Sequence, residues 1–325
     1  LILFFETRVV PCVLEMAEDQ AETSVVIMVD KAIAECEELN RLDYEDIIDV
    51  QKQENGEIIS VDSRQIYKGF RIGTAQPTYE ERLRVPHHLT DFLLPNESFS
   101  AGAFLTAVHE LLKNKGKDFI LVGGTGLYLQ VLVEGLPKIP EISENVRVQV
   151  TEMYLNKGLY YCYEKAKELD KKALEKISPE DKQRILRVLE VALETSRPLS
   201  EWQQEREGGL GFIPTFFLNR PRDILYERIN NRAKAMFENG WVEEVVELEK
   251  NVPQDALAWK SIGYREILQM KKGLISKESC LFGIKQETRR FAKRQLTWFR
   301  HQISGKEINL EEASQALVQE ILSQI

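Results

Sequence analysis

Cysteine and histidine are scarce in this sequence: its 325 residues hold four of each. Cys12, Cys36, Cys162 and Cys280 lie far apart, and no pair has zinc-ligand or redox spacing. That excludes a disulfide framework and predicts free thiols in a reducing compartment. His87-His88 is the one adjacent histidine pair, so no metal-ligand cluster is visible. No apolar run approaches the ~20 residues of a membrane span, and Leu1–Phe5 is too short for a signal-peptide core. A cytoplasmic protein with no membrane partner is expected. Opening on Leu1 rather than Met, the chain is expected to lack its true start. Glycine is absent from residues 1–55 altogether.

What is present is unevenly charged. The net charge of −9 argues against a nucleic-acid partner until its distribution is read. Residues 1–55 carry 14 acidic and 4 basic side chains, while the remaining 270 carry 38 and 39. Within Lys285–Arg300, six basic residues face a single Glu287. A basic face on a near-neutral body suits phosphate contacts, although most charge runs are solvated helix faces.

Ser24–Val29 reads as a short buried strand, with a helical pattern through Ala32–Leu42 and an acidic segment from Asp43 to Asp49. Ile58–Val61 is an apolar strand ending at Asp62-Ser63. Ala101–Lys113 has helical spacing, with Phe104, Val108, Leu111 and Leu112 on one side. Phe119–Val122 is a second continuous apolar strand that breaks at Gly123-Gly124 and leads into a helix through Leu127 and Val131. Strand and helix alternating with short joins predict an α/β parallel sheet with helices on both faces. Ligand crevices in such sheets lie beyond the carboxyl ends of the strands, where Asp62 and Thr125 both fall. From Glu141 to Glu205 the chain is charged, helical and poor in β-branched runs. Ser178-Pro179 predicts a helix start there, Ile185, Val188, Leu189 and Ala192 give it an apolar stripe, and Arg197-Pro198 stops it. Phe212–Asn219 reads as a further strand, and helices follow.

Four segments carry a resemblance. They are Asp62-Ser63-Arg64-Gln65-Ile66-Tyr67-Lys68-Gly69 continuing to Pro86-His87-His88; Gly123-Gly124-Thr125-Gly126-Leu127-Tyr128; Gly263-Tyr264-Arg265-Glu266; and Lys293-Arg294-Gln295-Leu296-Thr297-Trp298. In this order, across residues 55–302, they resemble the bacterial tRNA dimethylallyltransferase family. The resemblance implies a P-loop-NTPase-like fold and transfer of a dimethylallyl group from dimethylallyl diphosphate to N6 of adenosine 37 of a tRNA, with Mg²⁺ as cofactor. It implies the tRNA anticodon stem-loop as partner, and a monomer is expected. It also implies a division into residues 1–54, a divergent segment; 55–140 with 206–325, the catalytic core; and 141–205, an all-helical tRNA-binding insertion.

The resemblance makes Asp62 the general base, against its plainer reading as a turn or N-cap aspartate. Thr125 would lie near both substrates, or simply cap the helix behind it. Arg232 would hold the diphosphate, or pair with Glu227 or Glu238 on the surface. For tRNA the match points to Asp62, Ser63, Arg64, Gln65, Thr125 and Arg147. It adds Gln183, Arg184, Ile185, Leu186 and Arg187, then Lys260, Ser261, Ile262, Gly263, Tyr264 and Arg265. The competing reading of Arg184 and Arg187 is ion pairing with Asp181 and Glu190. His87 and His88 match the family without an assigned role; packing and hydrogen bonding are the ordinary use of such a pair.

The family opens with a strand, a G-x-x-x-x-G-K-[ST] loop that cradles phosphate, and a helix. Here the strand at Val25 runs into Asp30-Lys31-Ala32, which sets a carboxylate where an anion belongs. The two Gly-Lys pairs, at Gly116 and Gly305, are followed by Asp and Glu. Three readings therefore share these residues: a tRNA dimethylallyltransferase, an adenylate isopentenyltransferase acting on free nucleotide, and a tRNA-binding relative without catalysis.

Overall fold

The structure is a computed structural model and describes residues 24–28, 56–114, 117–302 and 304–309. The helical pattern at 32–42, the acidic segment at 43–49, Asp30, Cys12 and Cys36 lie outside these residues. The chain forms two compact units, Leu1–Val133 with Gly211–Ile325, and Glu134–Leu210.

The larger unit begins with β1 (Ser24–Met28), β2 (Glu57–Ser60), α1 (Tyr79–Arg84), β3 (His87–His88), α2 (Ala101–Leu112), β4 (Phe119–Gly123) and α3 (Gly126–Glu134). The smaller unit contributes β5 (Leu136–Pro137), α4 (Glu144–Leu169), α5 (Lys171–Leu174), α6 (Lys182–Thr195), α7 (Leu199–Trp202) and β6 (Arg206–Glu207). The larger unit resumes with β7 (Thr215–Asn219), α8 (Arg222–Glu238), α9 (Trp241–Asn251), a 3₁₀ turn at Leu257–Lys260, α10 (Tyr264–Lys271), α11 (Lys277–Gln302) and β8 (Lys306–Asn309).

Six strands of the larger unit pair in the order β3-β2-β4-β1-β7-β8, every neighbour parallel. All of β2, and all of β4 but its last residue, Gly123, are buried on successive residues, hence on both faces. Continuous Ile, Leu, Val and Phe is what two covered faces require. The sheet expected from the sequence is therefore present, with β1 at its centre. The strand expected over Phe212–Asn219 starts three residues late, at Thr215. Gly211 takes φ +75° and turns the chain, leaving Phe212 exposed.

A second core packs beside the sheet, around the buried rings of Phe70, Trp241, Trp259 and Tyr264. Gly73 and Gly263 permit it: a Cβ on either would lie 2.2 or 2.1 Å from the Trp241 indole.

The smaller unit has its own core. Ile185, Val188 and Leu189 of α6 pack with Val150, Cys162 and Ala166 of α4, and α4 breaks at Gly158, where φ is +80°. The start expected at Ser178-Pro179 moves to Asp181, whose Oδ1 accepts from Arg184 N–H at 3.1 Å. An ionised cap is the stronger acceptor for an orphan helix N–H. Ser178 makes the preceding turn instead, accepting from Asp181 N–H at 2.9 Å through its carbonyl. The helix ends before Arg197-Pro198, at Ser196 in the left-handed conformation.

Candidate active site

The carboxyl ends of β2 and β4 are pressed together. Val61 N–H donates to Val122 O at 2.6 Å, and Thr125 N–H donates back to Val61 O at 3.0 Å. Any Cβ on Gly123 would lie 2.2 Å from Val61 O, so only glycine lets the tips meet. Thr125 Oγ1 accepts from Ser63 N–H at 2.9 Å and donates to Ser63 Oγ at 3.2 Å. Its hydroxyl thus grips the neighbouring strand tip, while its carbonyl starts α3 by accepting from Tyr128 and Leu129.

Asp62 sits in this clasp, 7% exposed. Its Oδ1 accepts from Arg64 N–H at 2.7 Å and Gln65 N–H at 3.1 Å. Those two donors fix the carboxylate's direction, so the turn-forming reading of Asp62 holds as well. Burial first, then the charge of Asp62, push the nearby Tyr128 hydroxyl up to about 12. Tyr128 remains a donor and binds Phe99 O at 3.1 Å.

A cavity of about 520 Å³ opens over the clasp. Asp62, Ser63, Arg64 and Thr125 line its sheet end, and Arg232 of α8 and Lys260 contribute positive charge. The three residues singled out for chemistry, Asp62, Thr125 and Arg232, therefore share one cavity. Its apolar wall includes Phe291 and Trp298; the Trp298 ring lies where a Cβ on Gly126 would reach 2.2 Å. Ser261 and Ile262 line it too.

Other expected contacts sort by exposure. Gln183, Arg184, Lys260, Arg265 and Arg147 are exposed, and Leu186 is half-buried. Arg184 pairs with Asp181 at 2.8 Å and Arg187 with Glu190 at 3.2 Å, as the competing reading expected. Both arginine side chains stay substantially exposed, and such pairs contribute only ~0–1 kcal/mol, so a phosphate can displace them. Ile185 and Tyr264 need correction as direct tRNA contacts. Both side chains are fully buried. Ile185 belongs to the core of the smaller unit, and Tyr264 Oη donates to Glu244 Oε1 at 2.7 Å. Glu244 Oε2 in turn accepts from Arg71 and Ile72 N–H, tying this core to the loop after Asp62. Gln65 is likewise a brace: its amide donates to Ala75 O and accepts from Ser60 Oγ. Gly263 is buried against Trp241.

His87 and His88 form the edge strand, opposite Ile58 and Ile59 of β2. His87 Nδ1 meets Val85 O at 2.7 Å, and His88 Nε2 meets Glu57 Oε2 at 2.6 Å, with Lys117 at 3.1 Å from Glu57. Packing and hydrogen bonding account for the pair. The sequence reading gave no role to Gln295, a buried member of the fourth segment that also lines the cavity. No linear signal sets it apart from other glutamines.

Residues 65–302 match the model of the IPP transferase family. The chain is 42% identical over 264 residues to a protein of Thermoanaerobacter sp. (strain X514) called tRNA dimethylallyltransferase, covering 78% of this chain and 83% of that one. A protein of the same name from Koribacter versatilis is 40% identical over 252 residues, covering 76% and 82%. Among solved structures, the tRNA delta(2)-isopentenylpyrophosphate transferase of Staphylococcus epidermidis is similar at 36% identity and TM-score 0.60, covering 85% of this chain and 92% of that one. A eukaryotic dimethylallyltransferase acting on tRNA is similar at 26% identity and TM-score 0.70, covering 84% and 73%.

Proposed function

Because this chain belongs to the IPP transferase family, we propose that it transfers a dimethylallyl group from dimethylallyl diphosphate to N6 of adenosine 37 in a tRNA anticodon stem-loop. The observation that carries this reading is the convergence of Asp62, Thr125 and Arg232 on one cavity. An adenine amine is a poor nucleophile because its lone pair is delocalised into the ring. A fixed carboxylate that takes its proton as the new bond forms removes that obstacle. Asp62 has that geometry, with Oδ1 already held by two backbone donors. Arg232 would meet the diphosphate and Thr125 would hold the strand tips in register between the two substrates.

The target base has to leave its stack to enter the cavity. Ser63, Arg64, Lys260 and Arg265 on the larger unit, and Arg147, Gln183, Arg184 and Arg187 on residues 141–205, offer donors to the RNA. Mg²⁺ favours oxygen ligands, often one or two carboxylates together with substrate phosphates. Among the described residues lining the cavity Asp62 supplies the one carboxylate, and it is assigned to the proton. The described residues of the cavity do not fit a resident metal.

The test is labelling from radioactive dimethylallyl diphosphate, with an unmodified anticodon stem-loop or AMP as acceptor. Labelled stem-loop without labelled AMP is expected. Labelled AMP overturns the tRNA assignment. Tight stem-loop binding with no label in either favours a second reading, an RNA-binding relative without transfer. The glycine-free residues 1–55 speak for that reading.

A further inference from the structure

The first turn of α9 grips the loop that follows the Asp62 turn, and it does so at two points. Trp241, the first residue of α9, packs its buried indole on Gly73, where a Cβ would lie 2.2 Å from the ring. One turn along, Glu244 accepts at Oε2 from Ile72 N–H at 2.7 Å and from Arg71 N–H at 3.0 Å. Its Oε1 accepts from the Tyr264 hydroxyl at 2.7 Å. Tyr264 is fully buried. Burial first, then the charge of Glu244, hold that hydroxyl far above the ordinary tyrosine range, so it stays a donor.

The gripped loop is tied at its other end too. Gln76 N–H closes it on Arg71 O at 3.0 Å, and Ala75 inside it holds a left-handed φ of +48°. A residue with a Cβ keeps that conformation only where its surroundings impose it. The Gln76 amide donates to Gln65 O and Tyr67 O, each at 2.8 Å, and the Gln65 amide donates to Ala75 O. Gln65 N–H is in turn one of the two donors that aim Asp62. A continuous run of bonds therefore leads from Tyr264 through Glu244 and residues 71–76 to the Asp62 carboxylate. Between its anchors, Gly73 and Thr74 line the catalytic cavity, as does Trp241. Glu244 is not among the described residues that line it.

We propose that Glu244 is a positioning residue for the transfer reaction: it fixes the loop of residues 71–76, so that the cavity keeps room for the target base and Asp62 keeps its aim at that base's amine. This rests on the prenyl-transfer reading. A carboxylate suits the task, because an ionised acceptor binds N–H and O–H groups more strongly than a neutral one and a single carboxylate can hold several donors. Without it two backbone N–H groups and a buried hydroxyl lose their acceptor, and the strained turn at Ala75 loses one of the bonds that impose it. Misplacing a reacting group by about 1 Å costs on the order of 10²-fold in rate, even when the change lies far from the chemistry. Tyr264 of the third sequence segment thus acts on the site through Glu244 rather than by touching RNA.

The experiment separates binding of the RNA from entry of the base, using the full chain and an anticodon stem-loop. Overall affinity is read from a dye at the RNA end. Base entry is read from 2-aminopurine at the target position, whose emission changes as it leaves its stack. Entry needs no prenyl donor, so this readout holds whatever the rate of transfer. Glu244→Ala should leave overall affinity little changed and lower base entry about 10- to 100-fold, the worth of a charge-assisted hydrogen bond. Glu244→Gln keeps an oxygen for the two N–H groups and, with the Tyr264 hydroxyl turned to accept from its amide, should restore most of the entry. Tyr264→Phe keeps the ring in the core and should show the same split at about 3- to 10-fold; it decides alone if Glu244→Ala does not fold. Affinity and entry falling by one factor, in step with a lower urea midpoint, is the mark of a fold residue alone and overturns the proposal. Entry that none of these variants moves overturns it too, as does a glutamine variant no better than alanine. Failure of the unmodified chain to bind the stem-loop or to unstack its base refutes the tRNA reading itself, an outcome distinct from base entry that does not depend on Glu244.

Discussion

Asp62 serves two purposes at once, and substitutions can separate them. Alanine would remove both the proton acceptor and the oxygen that holds Arg64 and Gln65 N–H. Asparagine keeps the turn acceptor and loses the basicity. Asp62→Asn is expected to slow prenyl transfer about 10²–10⁴-fold, with stem-loop affinity little changed. A variant keeping more than half its turnover would show the proton goes elsewhere. At the edge of the sheet, titration acts on stability. Burial first, opposed by the Val85 carbonyl, lowers His87 to about 4. Burial pushes the Glu57 carboxyl up, but His88 and Lys117 outweigh it, and the net direction is down. Both folded-state values lie below their unfolded ones, so the unfolded chain binds more protons as the solution is acidified. The stabilisation from His87 is complete above its ordinary value near 6.5 and is lost as pH falls from there through about 4. Urea midpoints should therefore drop between pH 7 and pH 5, and His87→Phe should flatten that drop. An identical slope in the variant would exclude His87 as its source.

At the scale of elements, what could be read in advance depended on whether the deciding contact was local. The strands at Ile58 and Phe119 were legible because two covered faces impose an unbroken apolar run, and Asp62 and Thr125 followed as strand-end residues. The start of α6 was misplaced because Ser178 and Asp181 are both good caps by residue type; the choice falls to the carboxylate that reaches Arg184 N–H. Gln295 and Glu244 were illegible, since what each meets is a property of the packed molecule rather than of either residue. The polar side of α6 makes its own prediction. Arg184→Ala with Arg187→Ala removes two exposed ion pairs, so the fold should survive. Stem-loop affinity should fall, and the slope of log affinity against log salt should shrink by roughly 0.7–0.9 per lost phosphate contact. Prenyl-diphosphate affinity should not change. A constant slope would make both arginines purely structural.

For the whole molecule, the chemistry of the donor turns on the residues that follow β1. The family's phosphate loop would need glycines there, and residues 1–55 have none. Each charge-assisted hydrogen bond to a diphosphate contributes about 1.5–3 kcal/mol, and a factor of ten in rate corresponds to ~1.4 kcal/mol. Replacing residues 1–54 with the strand, loop and helix of an active relative should therefore raise transfer by about 10²–10⁴-fold for two restored contacts. Equal turnover before and after the graft would mean that residues 1–54 already do the loop's work. The position of β1 also has a consequence in time. It precedes the other described strands in the chain, yet it pairs on one side with β4, at Phe119–Gly123, and on the other with β7, at Thr215–Phe217. Its second neighbour is not made until roughly 190 residues later, at a synthesis rate of about 5–20 residues per second. Residues 134–210, with a core of their own, emerge complete during that interval. The strand at the centre of the sheet is thus made long before its second neighbour, and for about ten seconds or more of each synthesis it depends on whatever shields a bare apolar edge in the cell.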